Sequence, residues 1–361
     1  MSIPVRLGDR SYEIVLSDSY ASLPRRLAAL NLSKEGWIVS HRSILARDGH
    51  ALITPLRRAG WTLRVVTVPE SESSKSWTMA ERLLTDLSRQ AAMRVPVVLA
   101  FGGGVIGDLA GFVASVFRRG VPYVQLPTTL LAQVDSALGG KVGVDLPHAK
   151  NLAGAFYQPR LVYNNVAILD SLPLRQRRSG LAEIIKYGVI ADPTLFAYLE
   201  THLPVCLALQ RSAVRVLIER SCRIKARVVS HDEREATGRR AQLNFGHTLG
   251  HALESATGYT RWTHGEAIAI GMCAAAALSV ELRRLSPTVL NRLERLIQRA
   301  GLPTHARKVS FQQVWQAVRY DKKFIHGRPR WVLVNRLGHV VVTEDIPQAA
   351  VRRVLKRYVT P

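Results

Sequence analysis

The order of apolar runs along the chain is the feature that most limits how it folds. Through about residue 170, short β-branched runs such as WIVS, LRVVTV, PVVLAF and YVQLP alternate with helical spacing at residues 43–59, 76–91 and 105–118. Short apolar runs closed by turn residues indicate buried parallel strands, and their alternation with helices indicates a doubly wound α/β sheet. Before them, the segment MSIPVRLGDRSYEIVL predicts a hairpin with Gly8-Asp9 at its turn.

The pattern changes after Leu172-Pro173. Helical spacing then dominates, followed by a strand pair, WVLVN and HVVVT, and a last helix. The predicted helices cover residues 174–190, 211–230, 242–258, 264–284 and 288–300. We therefore predict two domains, a Rossmann-like α/β domain at residues 1–173 and a mainly α-helical domain at residues 174–361.

Composition and charge argue against several classes of protein. No apolar run reaches the ~20 residues of a membrane helix, and we expect no signal segment and no membrane partner. Cys206, Cys222 and Cys273 have neither metal-ligand spacing nor an obvious pairing, which favours reduced thiols and a cytoplasmic protein. The net charge of +23 is spread along the chain, and aromatic residues are not interleaved with basic ones, so we expect no nucleic-acid partner.

Lysine is scarce in this chain, which has 10 lysines and 40 arginines. A chain that uses arginine as its general surface cation retains lysine where a compact ammonium group is needed, because the two side chains are not interchangeable there. The lysines in distinctive sequence contexts are Lys75, Lys141, Lys150, Lys186, Lys225, Lys322 and Lys323. These lysines are candidates for chemistry, with chance placement as the alternative.

Glycine-rich or polar turns follow three successive predicted strands. FGGGVIGD follows PVVLA and opens a helix, where backbone N–H groups can approach a pyrophosphate and the helix dipole favours an anion. The polar and glycine residues of the three turns are Glu72, Lys75, Gly103, Gly104, Asp108, Thr128 and Thr129. Together they predict a dinucleotide site, although a tight turn or a helix cap would explain single motifs.

Histidines and a carboxylate in the helical half have the spacing of a metal site. His247 and His251 lie four residues apart on one helical face, and His264 follows thirteen residues later. Glu183 and Lys186 share a face of the helix SGLAEIIKYG. Imidazole and carboxylate ligands with an open position are typical of a catalytic zinc-type ion.

Basic and amide side chains near these motifs are candidates for anion recognition. Two lysines and an asparagine flank a segment rich in Gly and Pro that we predict to be a loop, and two arginines and an asparagine precede the first histidine. These residues are Lys141, Lys150, Asn151, Arg239, Arg240 and Asn244. Solvated loops are the alternative for both segments.

Taken in order, these segments resemble the 3-dehydroquinate synthase family of sugar-phosphate cyclases over nearly the whole chain. The motifs are PESESSKS, GGGVIGDLAGFVA, RRG, LPTTLLAQVDSALGGK, KNLAGAFYQP, GLAEIIKYG, DERE, LNFGHTLGHALE, THGEA and DKK. The resemblance implies a lyase of the shikimate pathway, which leads to chorismate and the aromatic amino acids. Its reaction would convert 3-deoxy-D-arabino-heptulosonate 7-phosphate to 3-dehydroquinate and phosphate, with NAD consumed and regenerated in each turnover.

The resemblance also assigns roles residue by residue. It implies that Glu183, His247 and His264 bind one divalent metal ion, zinc or cobalt. It implies catalytic or substrate contacts at Asp135, Lys141, Lys150, Asn151, Lys186, Lys225, Arg240, His251 and Lys322. It implies NAD contacts at Glu72, Lys75, Gly103, Gly104, Asp108, Thr128, Thr129, Asp135, Lys141, Lys150 and Ser171, where Ser171 replaces a common threonine.

Two positions bear on assembly and on the adenosine end of NAD. Arg119 matches an arginine that reaches the phosphate of the neighbouring subunit's substrate, which implies a homodimer. We place Arg119 at the end of the helix that starts at the glycine-rich turn, in a buried turn. His41 stands at a strand end where the family usually has Asp or Asn on the adenosine ribose.

Three other functions remain open at this point. A metal-dependent polyol dehydrogenase would share the fold, the glycine-rich turn and the HxxxH pair, but it would release NADH. A related cyclase could act on another sugar phosphate, because pocket specificity depends on few residues. A basic nucleic-acid-binding or scaffold protein would show salt-sensitive DNA binding without turnover.

Overall fold

Two compact units divide the chain. The computed structural model describes residues 1–90, 95–146, 149–320 and 330–360. The first unit contains Met1–Leu172 and Val214–Arg234, and the second contains Pro173–Ala213 and Glu235–Pro361. This grouping differs from a contiguous division at residue 173 because Val214–Arg234 belongs to the first unit.

A parallel sheet is the framework of the first unit. The strands of this unit are β1 (Ser2–Val5), β2 (Tyr12–Ser17), β3 (Glu35–His41), β4 (Thr62–Val68), β5 (Val97–Gly102), β6 (Tyr123–Pro127), β7 (Lys141–Leu146), β8 (Ala149–Phe156) and β9 (Leu161–Asn165). Seven of them form one sheet in the order β1-β2-β9-β6-β5-β3-β4. All neighbouring pairs in it are parallel except β1 and β2, which form the predicted N-terminal hairpin. The predicted doubly wound α/β sheet is confirmed.

Helices alternate with the strands of the first unit and build most of the second unit. They are α1 (Leu23–Ala28), α2 (Arg42–Arg58), α3 (Trp77–Gln90), α4 (Gly104–Val116), α5 (Leu174–Ile190), α6 (Pro193–Leu207), α7 (Arg211–His231), α8 (His247–Ala256), α9 (His264–Glu281), α10 (Pro287–Arg299), α11 (Phe311–Tyr320) and α12 (Gln348–Tyr358). The predicted mainly helical C-terminal part is confirmed. The strands β10 (Trp331–Arg336) and β11 (His339–Thr343) form the predicted antiparallel pair.

The order of the strands creates a switch point between β3 and β5. Strand β3 lies between β4 and β5, so the winding reverses direction there. In open α/β sheets, ligands bind outside the carboxyl ends of the strands at such a point. His41 ends β3 and Gly102 ends β5, so the glycine-rich turn is beside the switch point.

The structure corrects the predicted burial of strand β4. Most of LRVVTV is half-buried or exposed, and the Val65 side chain has 42% of its surface exposed. Its prediction as a buried strand is wrong because β4 lies at the sheet edge, with β3 alone beside it. Strands β3, β5 and β6 lie inside the sheet and are buried as predicted.

The structure also corrects the prediction of a loop for the segment rich in Gly and Pro. It forms an antiparallel hairpin of β7 and β8, so Lys141, Lys150 and Asn151 lie on strands. The sequence KVGVDL alternates, and Val142 and Val144 enter the same buried cluster as Leu109 of α4. This burial selects a strand conformation over a solvated loop.

Helix α7 joins the first unit through polar contacts made by its buried face. The Cys222 thiol donates to the Gln133 carbonyl at 3.3 Å, and Lys225 Nζ donates to Asp135 Oδ1 at 2.7 Å. Burial raises the pKa of the Cys222 thiol to about 12 and that of Cys206 to about 11. All three cysteines are free and buried, which agrees with reduced thiols.

Helix α9 is central to the second unit. Its residues from Ala267 to Ser279 are buried throughout, against α5, α8, α10 and α12. Helix α8 begins at His247, later than the predicted residue 242, because Gly246 has the left-handed φ of +81° and residues 239–244 form a 3₁₀ turn. Among the described residues, no helix combines the length and apolarity needed to cross a membrane.

Candidate functional site

Three helices of the second unit bring one carboxylate and two imidazoles together. Glu183 comes from the middle of α5, and His247 and His264 are the first residues of α8 and α9. Glu183 Oε1 lies 3.6 Å from His247 Nε2 and 3.3 Å from His264 Nε2. These donor atoms could surround a single ion.

Glycines at the helix crossings allow this approach. A Cβ atom on Gly265 would lie 2.2 Å from the Ser179 carbonyl oxygen of α5. A Cβ atom on Gly271 would lie 1.9 Å from the Gly246 carbonyl oxygen, just before α8. Since real Cβ atoms do not approach so closely, only glycine lets these three backbones meet, and the side chains they carry converge as a result.

The environment of Glu183 fits a divalent cation. The carboxylate is fully buried, and neither of its oxygens has a hydrogen bond of good geometry within the described ranges. The buried ammonium of Lys186 contacts Oε2, and the two imidazoles face Oε1. Two ligands of a tetrahedral zinc ion, at bonds of 2.0–2.1 Å, lie about 3.3 Å apart. The observed separations are close to this value, so these three residues fit a zinc-type ion.

The outer nitrogens of the two imidazoles have acceptors. His247 Nδ1 lies 3.2 Å from the Phe245 carbonyl oxygen, which only accepts, so Nδ1 carries the proton and Nε2 the lone pair. His264 Nδ1 lies 3.4 Å from Glu254 Oε1. Burial disfavours the charged form of His264, but the facing carboxylates of Glu183 and Glu254 raise its pKa to about 10.

Further predicted residues lie around this group. The His251 ring centre is 5.2 Å from that of His247 and 6.2 Å from that of His264. Arg240 is buried in the 3₁₀ turn that packs on α5, and its Nε is 3.7 Å from Glu235 Oε1. The structure therefore gathers imidazoles and two buried cations within one unit.

A second cluster lies beyond the carboxyl edge of the sheet in the first unit. Lys75 Nζ donates to Asp108 Oδ2 at 2.5 Å and also contacts Asn151 Oδ1. Burial disfavours the charge on Lys75, yet the Asp108 carboxylate holds its pKa above the usual value, so the lysine is cationic. Lys150 Nζ donates to Glu72 Oε1 at 2.7 Å. Five of the predicted residues are thus in contact with one another.

The glycine-rich turn touches the threonine turn in the same unit. Gly103 precedes α4 in an extended conformation, and a Cβ atom there would lie 3.1 Å from Thr129 Cγ2. The Thr129 hydroxyl accepts a hydrogen bond from the Ala132 amide at 3.1 Å, as a helix cap does. The Thr128 amide donates to the Gly102 carbonyl at 2.9 Å. Gly104 begins α4, and backbone groups at a helix start favour an anion.

Asp135 and Lys225 form another contact of the first unit. Lys225 Nζ donates to both the Asp135 carboxylate and its backbone carbonyl, each at 2.7 Å. Asp135 lies in a π-helical turn, Ala132–Ser136, a geometry often found at functional sites. Ser171 is exposed and donates to the Ile168 carbonyl, and Lys141 is exposed at the start of β7. His41 is buried, with Nδ1 3.0 Å from the Val68 carbonyl oxygen.

The placement of Arg119 was predicted wrongly. Helix α4 ends at Val116, and Arg119 is exposed in a following 3₁₀ turn rather than in a buried one. Arg118 and Arg119 have φ of +49° and +62°, so this left-handed turn stops the helix before Arg119. Lys322 and Lys323 lie outside the described residues.

Sequence reasoning overlooked Glu254 and Asp145. The signal for Glu254 is its position seven residues after His247 and three after His251, which puts it on the same helical face. Asp145 Oδ1 accepts from the Asn151 amide at 2.8 Å, and no local spacing indicates that contact.

Both halves of the chain match known protein families. The family 3-dehydroquinate synthase N-terminal matches residues 65–179, and 3-dehydroquinate synthase C-terminal matches residues 180–324. The 3-dehydroquinate synthase of Nostoc punctiforme is 44% identical over 358 residues, which are 98% of this chain and 98% of that protein.

Two solved structures resemble the chain over almost its full length. ValA, a 2-epi-5-epi-valiolone synthase from Streptomyces hygroscopicus subsp. jinggangensis solved with NAD+ and Zn2+, has a TM-score of 0.89 and 26% identity, covering 98% of each chain. A 2-deoxy-scyllo-inosose synthase solved with carbaglucose-6-phosphate, NAD+ and Co2+ has a TM-score of 0.89 and 22% identity, covering 99% of this chain and 100% of that one. The second likeness concerns the fold alone.

The α/β sheet, the helical second unit and the Glu–His–His group define a dehydroquinate synthase-like cyclase fold. Within that class, the two matched halves and the 44% identity are decisive. The chain belongs to the 3-dehydroquinate synthase family.

Proposed function

We propose that this chain converts 3-deoxy-D-arabino-heptulosonate 7-phosphate to 3-dehydroquinate and inorganic phosphate, with catalytic NAD and one divalent metal ion. The observation that carries the proposal is the Glu183–His247–His264 group in a chain that matches this family along nearly its whole length. The family match also favours the cyclase over the polyol dehydrogenase and the scaffold protein.

Glu183, His247 and His264 would hold the metal, and the turns after β4, β5 and β6 would hold NAD. When bound, the metal polarises a carbinol oxygen and NAD accepts and returns a hydride. Zinc and cobalt are both candidates, because the similar solved synthases contain one or the other. The Glu183 carboxylate supports a resident cation, because it is fully buried and its oxygens have no hydrogen bond of good geometry among the described residues.

The basic residues supply the recognition of a substrate with a carboxylate and a phosphate. Lys141, Lys150 and Arg240 would bind these anions with Asn151, and Lys186, Lys225 and Lys322 would complete the cationic surroundings. Fixed cations of this kind stabilise oxyanions that form during the reaction.

His251 would move a proton. It is half-buried beside the two histidine ligands, and a neutral imidazole can both donate and accept. The contacts of Lys75 with Asp108 and Asn151 would hold the NAD-binding edge in order before the cofactor arrives.

We also propose a cytoplasmic homodimer in which Arg119 completes the site of the neighbouring subunit. Arg119 is exposed, and apolar Trp77, Val116 and Phe156 are exposed on elements that pack against one another in the same unit. Large apolar side chains that are exposed on one unit are candidates for a protein interface. Three buried free thiols support a reducing compartment.

One assay tests the reaction. Phosphate release from the heptulosonate phosphate should require NAD in catalytic amounts, stop with a chelator, and return with zinc or cobalt. NADH absorbance should not accumulate, because the hydride returns before product leaves. Stoichiometric NADH would point to a dehydrogenase, and DNA binding without turnover to the scaffold protein.

The second candidate is a cyclase of another sugar phosphate, which the likeness to ValA favours. Glucose 6-phosphate and sedoheptulose 7-phosphate, assayed beside the heptulosonate phosphate, separate the two. Turnover confined to the carboxylate-bearing sugar supports the first candidate, because a site built to bind a polar group of its substrate rejects an analogue that lacks this group.

A further inference from the structure

The imidazole of His264 faces a carboxylate on each side. Its Nε2 lies 3.3 Å from Glu183 Oε1, and its Nδ1 lies 3.4 Å from Glu254 Oε1. A neutral imidazole has one lone pair and one N–H, so these two carboxylates cannot have the same relation to the ring.

Burial distinguishes the two carboxylates. The Glu183 side chain has no exposed surface, whereas 12% of the Glu254 side chain is exposed. A fully buried carboxylate needs a cation more than one that water reaches. A metal ion bound by Glu183 takes the Nε2 lone pair, which leaves the proton on Nδ1 facing Glu254.

The imidazole of the other histidine ligand, His247, has the same arrangement. Its Nδ1 faces the Phe245 carbonyl oxygen at 3.2 Å, and its Nε2 faces Glu183. Each imidazole of the group thus has an acceptor on its outer nitrogen. Such acceptors fix the tautomer and the ring orientation of metal-binding histidines.

We propose that Glu254 is a positioning residue of the metal site, which accepts the Nδ1 proton of His264 and aims Nε2 at the ion. This inference rests on the proposed function, because it needs a metal at Glu183, His247 and His264. Glu254 also ties α8 to the first turn of α9, so one helix supplies both the ligand His247 and the support of His264.

A different arrangement makes the opposite prediction. His251, Glu254 and His264 also lie close enough to hold an ion, and there Glu254 would be a ligand. In that case His251→Ala would remove metal and His247→Ala would not.

The test measures metal affinity rather than turnover. The full-length Glu254→Ala and Glu254→Gln chains are titrated with Zn2+ against a chromophoric chelator, and the absorption spectrum of the Co2+ form is recorded. Glu254→Ala should bind zinc about 10–100-fold more weakly than the parent chain. Glu254→Gln keeps an acceptor oxygen, so its affinity should lie between the two. The Co2+ band should keep its intensity, since three ligands remain.

Glu281→Ala is the matched control. Glu281 also lies on a helix of the second unit, and its carboxylate pairs with Arg353 and Arg357. Its loss should leave zinc affinity unchanged, and circular dichroism should show all variants folded.

Unchanged zinc affinity in folded Glu254→Ala overturns the inference while the proposed metal site stands. Loss of zinc in His251→Ala with retention in His247→Ala also overturns it, because Glu254 is then a ligand. A parent chain without zinc affinity overturns the proposed function, and the inference with it.

Discussion

At the scale of single residues, the buried Glu183 carboxylate controls the charge of the site. It contacts the Lys186 ammonium on one oxygen and two imidazoles on the other. Removal of one partner from a buried ion pair costs about 3–5 kcal/mol, because the remaining charge stays buried without compensation. The buried carboxylate is therefore stable only while cations surround it.

This charge balance leads to a prediction for the ligands. Glu183→Ala, His247→Ala and His264→Ala should each lower the metal content and abolish turnover, because each removes one of three donors. His251→Ala should lower turnover while the metal stays bound. Metal per chain is measured by atomic emission after dialysis. Full metal content in all three ligand variants would mean that the ion binds elsewhere.

The scarcity of lysine leads to a second prediction. Lys141→Arg should lower kcat/KM at least about tenfold despite the conserved charge, because a planar guanidinium does not replace a compact ammonium. Lys34→Arg is the control, since Lys34 is exposed and its Nζ donates to the Ala59 carbonyl at 2.9 Å. Steady-state kinetics should show no change there. Equal effects at the two positions would contradict the argument.

At the scale of elements, close contact between α8 and α9 positions the ligands. A Cβ atom on Gly271 would overlap the Gly246 carbonyl oxygen, so Gly271→Ala must push α8 away from α9. We expect a loss of about 1–3 kcal/mol in the free energy of unfolding, as for other overpacked sites. Zinc affinity should fall too, because His247 and His264 move apart. Denaturant unfolding and zinc titration measure the two effects.

The same substitution elsewhere provides the control for this prediction. Gly49 lies inside α2, and a Cβ atom there would meet Leu45 at an ordinary 3.5 Å. Gly49→Ala should be neutral or stabilise the chain by about 0.4–1 kcal/mol, because alanine restricts the unfolded state. Destabilisation by both substitutions would show that the loss of stability does not come from the crossing of α8 and α9.

Elements with strong local patterns could be predicted from the sequence, and those defined by their neighbours could not. The periodic α2, α3 and α5 and the apolar β3, β5 and β6 lie within two residues of their predicted bounds. Helix α6 was not predicted. It is apolar and contains Pro204, and both features obscure its periodicity. The β7–β8 hairpin was not predicted, because its glycines suggest a loop. Only the pairing of the two strands reveals the hairpin.

The same distinction holds for the candidate site. His247 and His251 are four residues apart in sequence, so one helix turn reveals them. The contact of Lys225 with Asp135 joins residues 90 positions apart, and sequence spacing gives no sign of it. The resemblance to a family supplied such residues, and the fold supplied their distances.

At the scale of the whole molecule, the net charge of +23 opposes association of two copies. Salt screens such repulsion over about 10 Å at 0.1 M ionic strength, so the proposed dimer should become tighter as salt rises. The exposed apolar Trp77, Val116 and Phe156 offer the area that would offset the repulsion.

Complementation between inactive chains tests whether the site is completed by a second subunit. Arg119→Ala should be folded but inactive, because Arg119 is exposed in its own chain and would act on the partner's substrate. His251→Ala is impaired for a different reason and keeps its arginine. Equal mixtures exchange into dimers of which half are mixed, and each mixed dimer has one intact site, so activity should return to roughly a quarter of the parent value. Arg118→Ala, in the same left-handed turn, is the control and should stay active. Subunit exchange is followed with two affinity tags, and exchange without recovered activity would mean that Arg119 acts within its own chain or not at all.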